Sequence, residues 1–407
     1  MSKLEELIQE FCLNGVEYYE LGQVCDFIKG KGLRKDDIGT GNIPIILYGE
    51  LYTTYSGYIN QVVSSAASEK INRKAAIYKS DIIIPLSSTT KEANIGQAAV
   101  YASNRVAYLG SDAAILRHSM DAGYLMYVLN SSFFEKEKMR CVSGTTIRHL
   151  SINELSKIRI PLPPLAVQQE IVRILDSFTE LTAELTAELT ARRKQYECYK
   201  ECIFEKFNSS SATFMPLNEV ANVKDGTHDS PKPVVSGKYL ITSKNVKSGK
   251  IILDGAYQIS EEDFNAINKR SKVDKWDILF TMIGTVGEIG IATDIPDYAI
   301  KNVGLIKTGD EVLAKFLKYY LTSSKAKKYI KDNRSKGSQM FLGLEKLRVL
   351  PVPSISSPEM AEIVSILDRF DTLCNSITSG LPAEIVARQK QYEYYRDKLL
   401  TFKELDA

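Results

Sequence analysis

Six cysteines, three histidines and one tryptophan among 407 residues leave little for redox or metal chemistry to work with. The cysteines are scattered, and only Cys198 and Cys202 stand close together, without a CxxC or HExxH spacing to mark a metal or redox centre. No other ligand type lies nearby, so we read that pair as packing residues on a helix. His118 and His149 lack triad companions in the sequence and are read as structural. No run of about 18 apolar residues occurs, which argues against a membrane-spanning helix. The opening MSKLEELIQEF lacks the apolar stretch of a secretory signal, so a reducing cytoplasm is the expected location.

What is present is ordinary for a water-soluble globular chain, with 25% charged and 44% hydrophobic residues. The length exceeds the roughly 250 residues at which single cores stop growing, which implies more than one domain. The net charge of +2 is unevenly spread. Residues 16–160 carry +3 and residues 212–353 carry +6, while 1–15, 161–211 and 354–407 carry −2, −2 and −3. Two segments thus hold the positive excess expected of surfaces that approach phosphates, although the excess is modest.

The chain is built twice. Ile171-Val-Arg-Ile-Leu-Asp-Ser-Phe178 returns as Ile363-Val-Ser-Ile-Leu-Asp-Arg-Phe370, and Ala191-Arg-Arg-Lys-Gln-Tyr-Glu-Cys-Tyr199 returns as Ala387-Arg-Gln-Lys-Gln-Tyr-Glu-Tyr-Tyr395. Asp81-Ile-Ile-Ile84 and Asp277-Ile-Leu-Phe280 lie 196 residues apart, the offset of the second pair. A molecule with two similar frames suits a partner with approximate two-fold symmetry, of which duplex DNA is the commonest.

The texture of each half is a strand-rich globule followed by a helical rod. A short amphipathic helix over 2–12 opens the chain. Strand-like runs at 43–48, 81–84 and 98–101 precede a helix predicted over 120–138; runs at 239–242, 251–253 and 277–280 precede one over 311–333. Pro161, Pro163 and Pro164 close the first globule, and Pro351 and Pro353 the second. The rods are unequal. Sixteen residues separate Asp176 from Arg192, whereas twenty separate Asp368 from Arg388. The first stretch is filled by a TAEL repeat from Thr182 to Ala191, strong helix formers with Leu181, Leu185 and Leu189 on nearly one face. In the second, Gly380 and Pro382 stop one helix and start another. One long central helix and a broken C-terminal one follow, with apolar faces that suit antiparallel packing.

These residues resemble the specificity subunits of type I restriction–modification systems (HsdS), over essentially the whole chain. The resemblance rests on Ser143-Gly-Thr-Thr-Ile-Arg148, on Leu155-Ser-Lys-Ile-Arg-Ile-Pro-Leu-Pro-Pro-Leu165 with Gln169-Glu-Ile-Val172, and on Asp225-Gly-Thr-His-Asp-Ser-Pro231 with Ile241-Thr-Ser-Lys-Asn-Val-Lys-Ser-Gly-Lys-Ile251. The TAEL repeat and the ending at 380–400 are similar to the IC branch. One departure is Lys336-Gly-Ser-Gln-Met340, where the first half has its SGTTI loop.

The resemblance implies an α+β chain with two mixed α/β target-recognition domains separated by long antiparallel conserved helices in a pseudo-two-fold arrangement. Its parts are an N-terminal helix (1–15), a first recognition domain (16–163), a central spacer helix (164–211), a second recognition domain (212–353) and C-terminal helices (354–407). Each domain reads one half of an asymmetric bipartite target on double-stranded DNA, across a fixed unread spacer. Two modification subunits bind the helices and methylate adenine with S-adenosylmethionine; restriction and translocase subunits use ATP and Mg. No cofactor, metal, catalytic group or membrane is expected for this chain itself.

Hydrogen-bonding side chains on loops read base edges, and basic ones hold phosphates. The candidates are Ser88, Thr89 and Lys91 in the loop 86–97, and Thr145, Thr146 and Arg148 in the SGTTIR loop. In the second half they are His228, Lys244, Asn245, Thr285, Ser338 and Gln339. Tyr48, Tyr52, Tyr55 and Tyr58 can press on a sugar–phosphate backbone, though half-buried sheet tyrosines are the commoner case. Two rivals stay open. A coiled-coil scaffold would explain the rods and leave the paired basic globules unexplained. A stand-alone adenine methyltransferase would need a GxGxxG after a strand or an Asn/Asp-Pro-Pro-Tyr/Phe run, and neither occurs.

Overall fold

The computed structural model describes residues 3–33, 35–90, 94–208, 213–335, 337, 340–376 and 378–405. The chain forms two compact units, Met1–Glu184 with Ile385–Ala407, and Leu185–Glu384.

In the first unit the buried run Ile82–Pro85 becomes a central strand, flanked on both edges and covered on both faces, as continuous Ile runs require. Its sheet runs in the order Cys25–Lys29, Ala113–His118, Ile82–Pro85, Ala99–Tyr101, Tyr58–Ile59. A second sheet pairs Ile43–Ile46 in parallel with Ala107–Leu109. The buried Asp81 that opens the central strand is held by Arg117 at 2.8 Å and caps the Tyr78 amide.

The second unit repeats this plan on different residues. Its main sheet runs Asn222–Asp225, Val303–Lys307, Ile278–Thr281, Ile289–Ile291, and its second sheet again contains one parallel pair, Lys238–Ile241 with Tyr298–Ile300. Asp277 takes the place of Asp81, paired with Lys307 at 2.9 Å. Even the backbone before each aspartate agrees, since Ser80 (φ 73°) and Trp276 (φ 69°) are both left-handed.

The sequence predicts one helix over 120–138 and one over 311–333, and the structure has two in each place; the helix Glu261–Ser271 is not predicted. Ala122–Leu129 is followed by Ser132–Arg140, and Glu311–Leu321 by Ser324–Asn333. The break falls on an extended serine in both cases. Ser131 accepts from the Phe134 amide and donates to the Val128 carbonyl; Ser323 accepts from the Ala326 amide. Apolar periodicity runs on through both breaks, so the serine caps decide.

The rods follow the sequence closely. Leu165–Glu205 is one helix of 41 residues. The second copy divides into Ser357–Asn375 and Leu381–Leu399. Gly380 ends the first piece at φ 84°, where an added Cβ would lie 2.6 Å from the Thr372 carbonyl oxygen.

Each repeated aspartate fastens a rod to the globule of its own unit. In the first, Asp176 accepts from Tyr127 at 2.6 Å and Tyr58 at 3.0 Å, and Phe178 stacks on Tyr395. In the second, Asp368 accepts from Tyr319 at 2.6 Å and Lys315 at 2.7 Å, and Phe370 stacks on Tyr199. The two helices there run in opposite directions, for Arg193 meets the Cys374 carbonyl while Tyr196 and Tyr199 meet Phe370. A rod carboxylate also caps the second globular helix of each unit. Asp397 accepts from the Ser132 amide, and Glu201 from the Ser324 amide. Tyr52, Tyr55 and Tyr58 are half-buried and spend their hydroxyls on Ser87, Val63 and Asp176, so they serve the fold. Cys198 and Cys202, expected to pack, are both exposed, because the long helix turns that face outward.

Candidate nucleic-acid interface

The central strand of each unit runs out into a candidate reading loop, and a second segment from later in the chain returns beside it. In the first unit Ser87–Ser88 pairs with Arg148–Leu150, which pairs in turn with Val142–Ser143. The loop 86–97 and the SGTTIR loop, about 60 residues apart, therefore form one three-stranded ribbon. Thr145 and Thr146 stand exposed at its tip. Gly144 makes that tip possible at φ 89°, since an added Cβ would lie 2.1 Å from the Ile147 carbonyl oxygen. Arg148 is half-buried, with its guanidinium on the Met139 sulfur at 3.2 Å. Thr89 is exposed, whereas Ser88 is buried and hydrogen-bonded locally to both Thr90 backbone groups. Ser88 thus shapes the turn that presents Thr89. Lys91 lies outside the described residues.

His149, read from sequence as without companions, has them in the fold. Its Nδ1 is 2.9 Å from Ser87 Oγ, which donates to Asp112 Oδ1 at 3.0 Å. Serine sits in the middle of this chain. A nucleophilic triad needs histidine there, so the arrangement is not one; it ties the ribbon to Asp112.

In the second unit the loop 282–287 leaves Ile278–Thr281. Ile283 bridges Phe341, the Gly284 amide donates to Met340, and the Leu342 amide donates to Met282. Met340 and Phe341 thus lie beside the loop that follows the central strand, as the SGTTIR loop lies beside the loop 86–97 in the first unit. Thr285 is exposed there, its carbonyl held by the Thr281 hydroxyl. Ser338 and Gln339 lie outside the described residues.

The other candidates of this unit sit on neighbouring strand ends. His228 is exposed and bridges Asn302 at 2.9 Å and Asp225 at 3.0 Å; Asp225 also receives Arg270. Asn302 (φ 55°) stands just before its strand, as Asp112 (φ 63°) does in the first unit. Lys244 is exposed on a short 3-10 turn. Asn245 is buried under that turn, its amide oxygen accepting from the Thr242 amide and hydroxyl and its nitrogen donating to the Ile252 carbonyl, so it positions Lys244. Sequence reading missed Arg270, in the last turn of the helix Glu261–Ser271, and Asn302, just before its strand; only for Asn302 was a polar residue at a strand end the available signal.

Exposed hydroxyls on these loops (Thr89, Thr145, Thr146, Thr285) are of the kind that can hydrogen-bond base edges, and Lys244 and Arg148 of the kind that can meet phosphates. The family described as type I restriction modification DNA specificity domain matches residues 14–192 and 210–387, once in each half. The chain belongs to this family. The specificity subunit shares 30% identity with a type I restriction enzyme specificity subunit of Escherichia coli over 69% of this chain and 70% of the relative. It shares 35% identity with a putative one of Haemophilus influenzae over 64% of this chain and 68% of the relative. A solved chain from a type I restriction–modification system has the same fold, with a TM-score of 0.64 at 16% identity over 95% of this chain and 97% of the other. Among the described residues of the specificity subunit no helix is long and apolar enough to cross a membrane.

Proposed function

We propose that this specificity subunit reads an asymmetric, two-part target on double-stranded DNA, one part with each unit. The observation that carries the reading is a matched frame with unmatched readers. The frame agrees down to Asp81 and Asp277 and the left-handed residues before them, while the ribbons carry Thr145–Thr146 in one unit and Thr285 beside Met340–Phe341 in the other. A shared frame sets each reader beyond the central strand of its own unit, and different side chains give different half-sites.

The chain itself performs no chemistry in this reading. Modification subunits docked on the rods methylate adenine with S-adenosylmethionine, and motor–nuclease subunits supply translocation and cleavage with ATP and Mg. The long helix acts as the ruler for the spacer. One TAEL unit adds about 6 Å of helix, against about 3.4 Å per base-pair step.

Gel-shift titration of the specificity subunit with its modification partner tests this. The complex is expected to prefer a two-part site over scrambled DNA, to lose the preference when either half is scrambled, and to weaken steeply with salt as counterions are released. Equal binding to every sequence removes the proposal and favours a scaffold. Methyl transfer by this chain alone favours the enzyme.

A further inference from the structure

A lysine is buried beneath the first reading loop. Lys138, on the helix Ser132–Arg140, is 1% exposed. Burying an ammonium is costly unless it is paired and hydrogen-bonded, and burial here pulls its pKa below the ordinary lysine value against the opposing pull of Glu135. The ammonium is ion-paired with Glu135 and reaches Asn94 Oδ1 at 3.3 Å, at the returning end of the loop 86–97. Its stem runs under Gly96, where an added Cβ would lie 3.0 Å from Lys138 Cδ. Gly96 (φ 72°) donates to the Pro85 carbonyl, and Asn130 clamps both backbone groups of Ala98. The returning limb is thus fixed from below at three successive points.

The second unit shows what the frame needs at this position. The caps Ser131 and Ser323 align the two helices, and Lys138 then corresponds to Ile330, which is also buried. Ile330 lies under the matching loop glycine, Gly287 (φ 99°), at 3.8 Å from its would-be Cβ. The frame is therefore satisfied by an aliphatic side chain. The loop over Ile330 spans only 282–287, whereas that over Lys138 spans 86–97. The charge is the feature that distinguishes the first unit; Glu135 pairs with it, and its remaining reach is to Asn94 in the loop.

We infer that Lys138 is a positioning residue for the first half-site, holding the long reading loop through Asn94 without touching DNA. The inference rests on the two-reader function proposed above. It makes specificity at one half-site depend on a side chain that no base or phosphate can reach.

The test uses the specificity subunit with its modification partner on duplexes carrying the mapped target, or that target with single substitutions in either half. Lys138→Met supplies a similar volume without the charge, and the Ile330 precedent predicts that it folds. It is expected to keep a cooperative thermal transition while losing roughly tenfold of the discrimination at one half-site, about what one mismatched base pair carries. The other half-site keeps its full discrimination. Asn94→Ala is expected to weaken the same half, and the double variant to fall short of the sum of the two single ones, since each removes the Lys138–Asn94 contact. Equal loss at both half-sites, no loss at either, or additive effects of the two variants would overturn the inference. If the wild-type complex shows no preference for the two-part target, the proposed function fails instead.

Discussion

At the residue scale, the second unit rests on charged groups placed where burial makes their partners matter. Burial alone would push the Asp371 carboxyl up; the charge of Lys318, its hydrogen bond at 2.8 Å, a second from Asn375 and the charge of Lys200 outweigh this and hold it below the ordinary carboxylate value. A carboxylate depressed in the folded state contributes stability above its unfolded value of about 3.9, and that contribution is lost as pH falls through the folded value. Asp371→Asn is therefore expected to cost about 1–2 kcal/mol near neutral pH and to flatten the acid limb of stability against pH. Urea unfolding between pH 3 and 7 reads both effects, and an unchanged acid limb would remove Asp371 from the account. Burial and Asp368 together push the Tyr319 hydroxyl up, which keeps it a donor to that aspartate across the whole range.

At the scale of elements, the fold depends on how closely the rods approach the globules. Gly123 lies where the helix Ala122–Leu129 meets the long helix, and an added Cβ would stand 2.6 Å from Tyr58 Oη and 2.7 Å from Val172 Cγ1. Gly123→Ala should lower the denaturation midpoint by an amount worth about 1–3 kcal/mol, the usual cost of overpacking. A variant as stable as the wild type would show that this contact yields. Much of the element plan was legible in sequence. The TAEL repeat and the Gly380–Pro382 pair marked the unbroken and broken rods, and the Asp81 and Asp277 runs marked the two central strands. The serine breaks were not legible through periodicity, because apolar spacing persists across Ser131 and Ser323; only the recurring Ser-Ser dipeptides signalled them. The SGTTIR loop stood out as a candidate. Its partnership with Ser87–Ser88 did not, since pairing across about 60 residues leaves no local pattern. For the same reason the burial of Asn245 and Lys138 could not be read, as polar residues in loop and helix surface look alike until neighbours close over them.

For the whole molecule, duplication with divergence is the theme. Repetition gives each unit a central strand opened by an aspartate, one parallel pair in its second sheet, an aspartate anchor on a rod and a rod carboxylate over a serine-capped helix. Divergence falls on the loops beyond the central strands, on the buried residue beneath them (Lys138 or Ile330), on the number of strands, and on four residues of rod length. Mapping methylated adenines at single-molecule resolution, in DNA from otherwise methylation-free cells expressing the system, tests this most directly. The account predicts one asymmetric motif of two short halves with a fixed spacer, and a spacer longer by one or two base pairs, with both halves unchanged, when one TAEL unit is inserted after Ala191. A contiguous motif, or the same spacer with the longer helix, would contradict it.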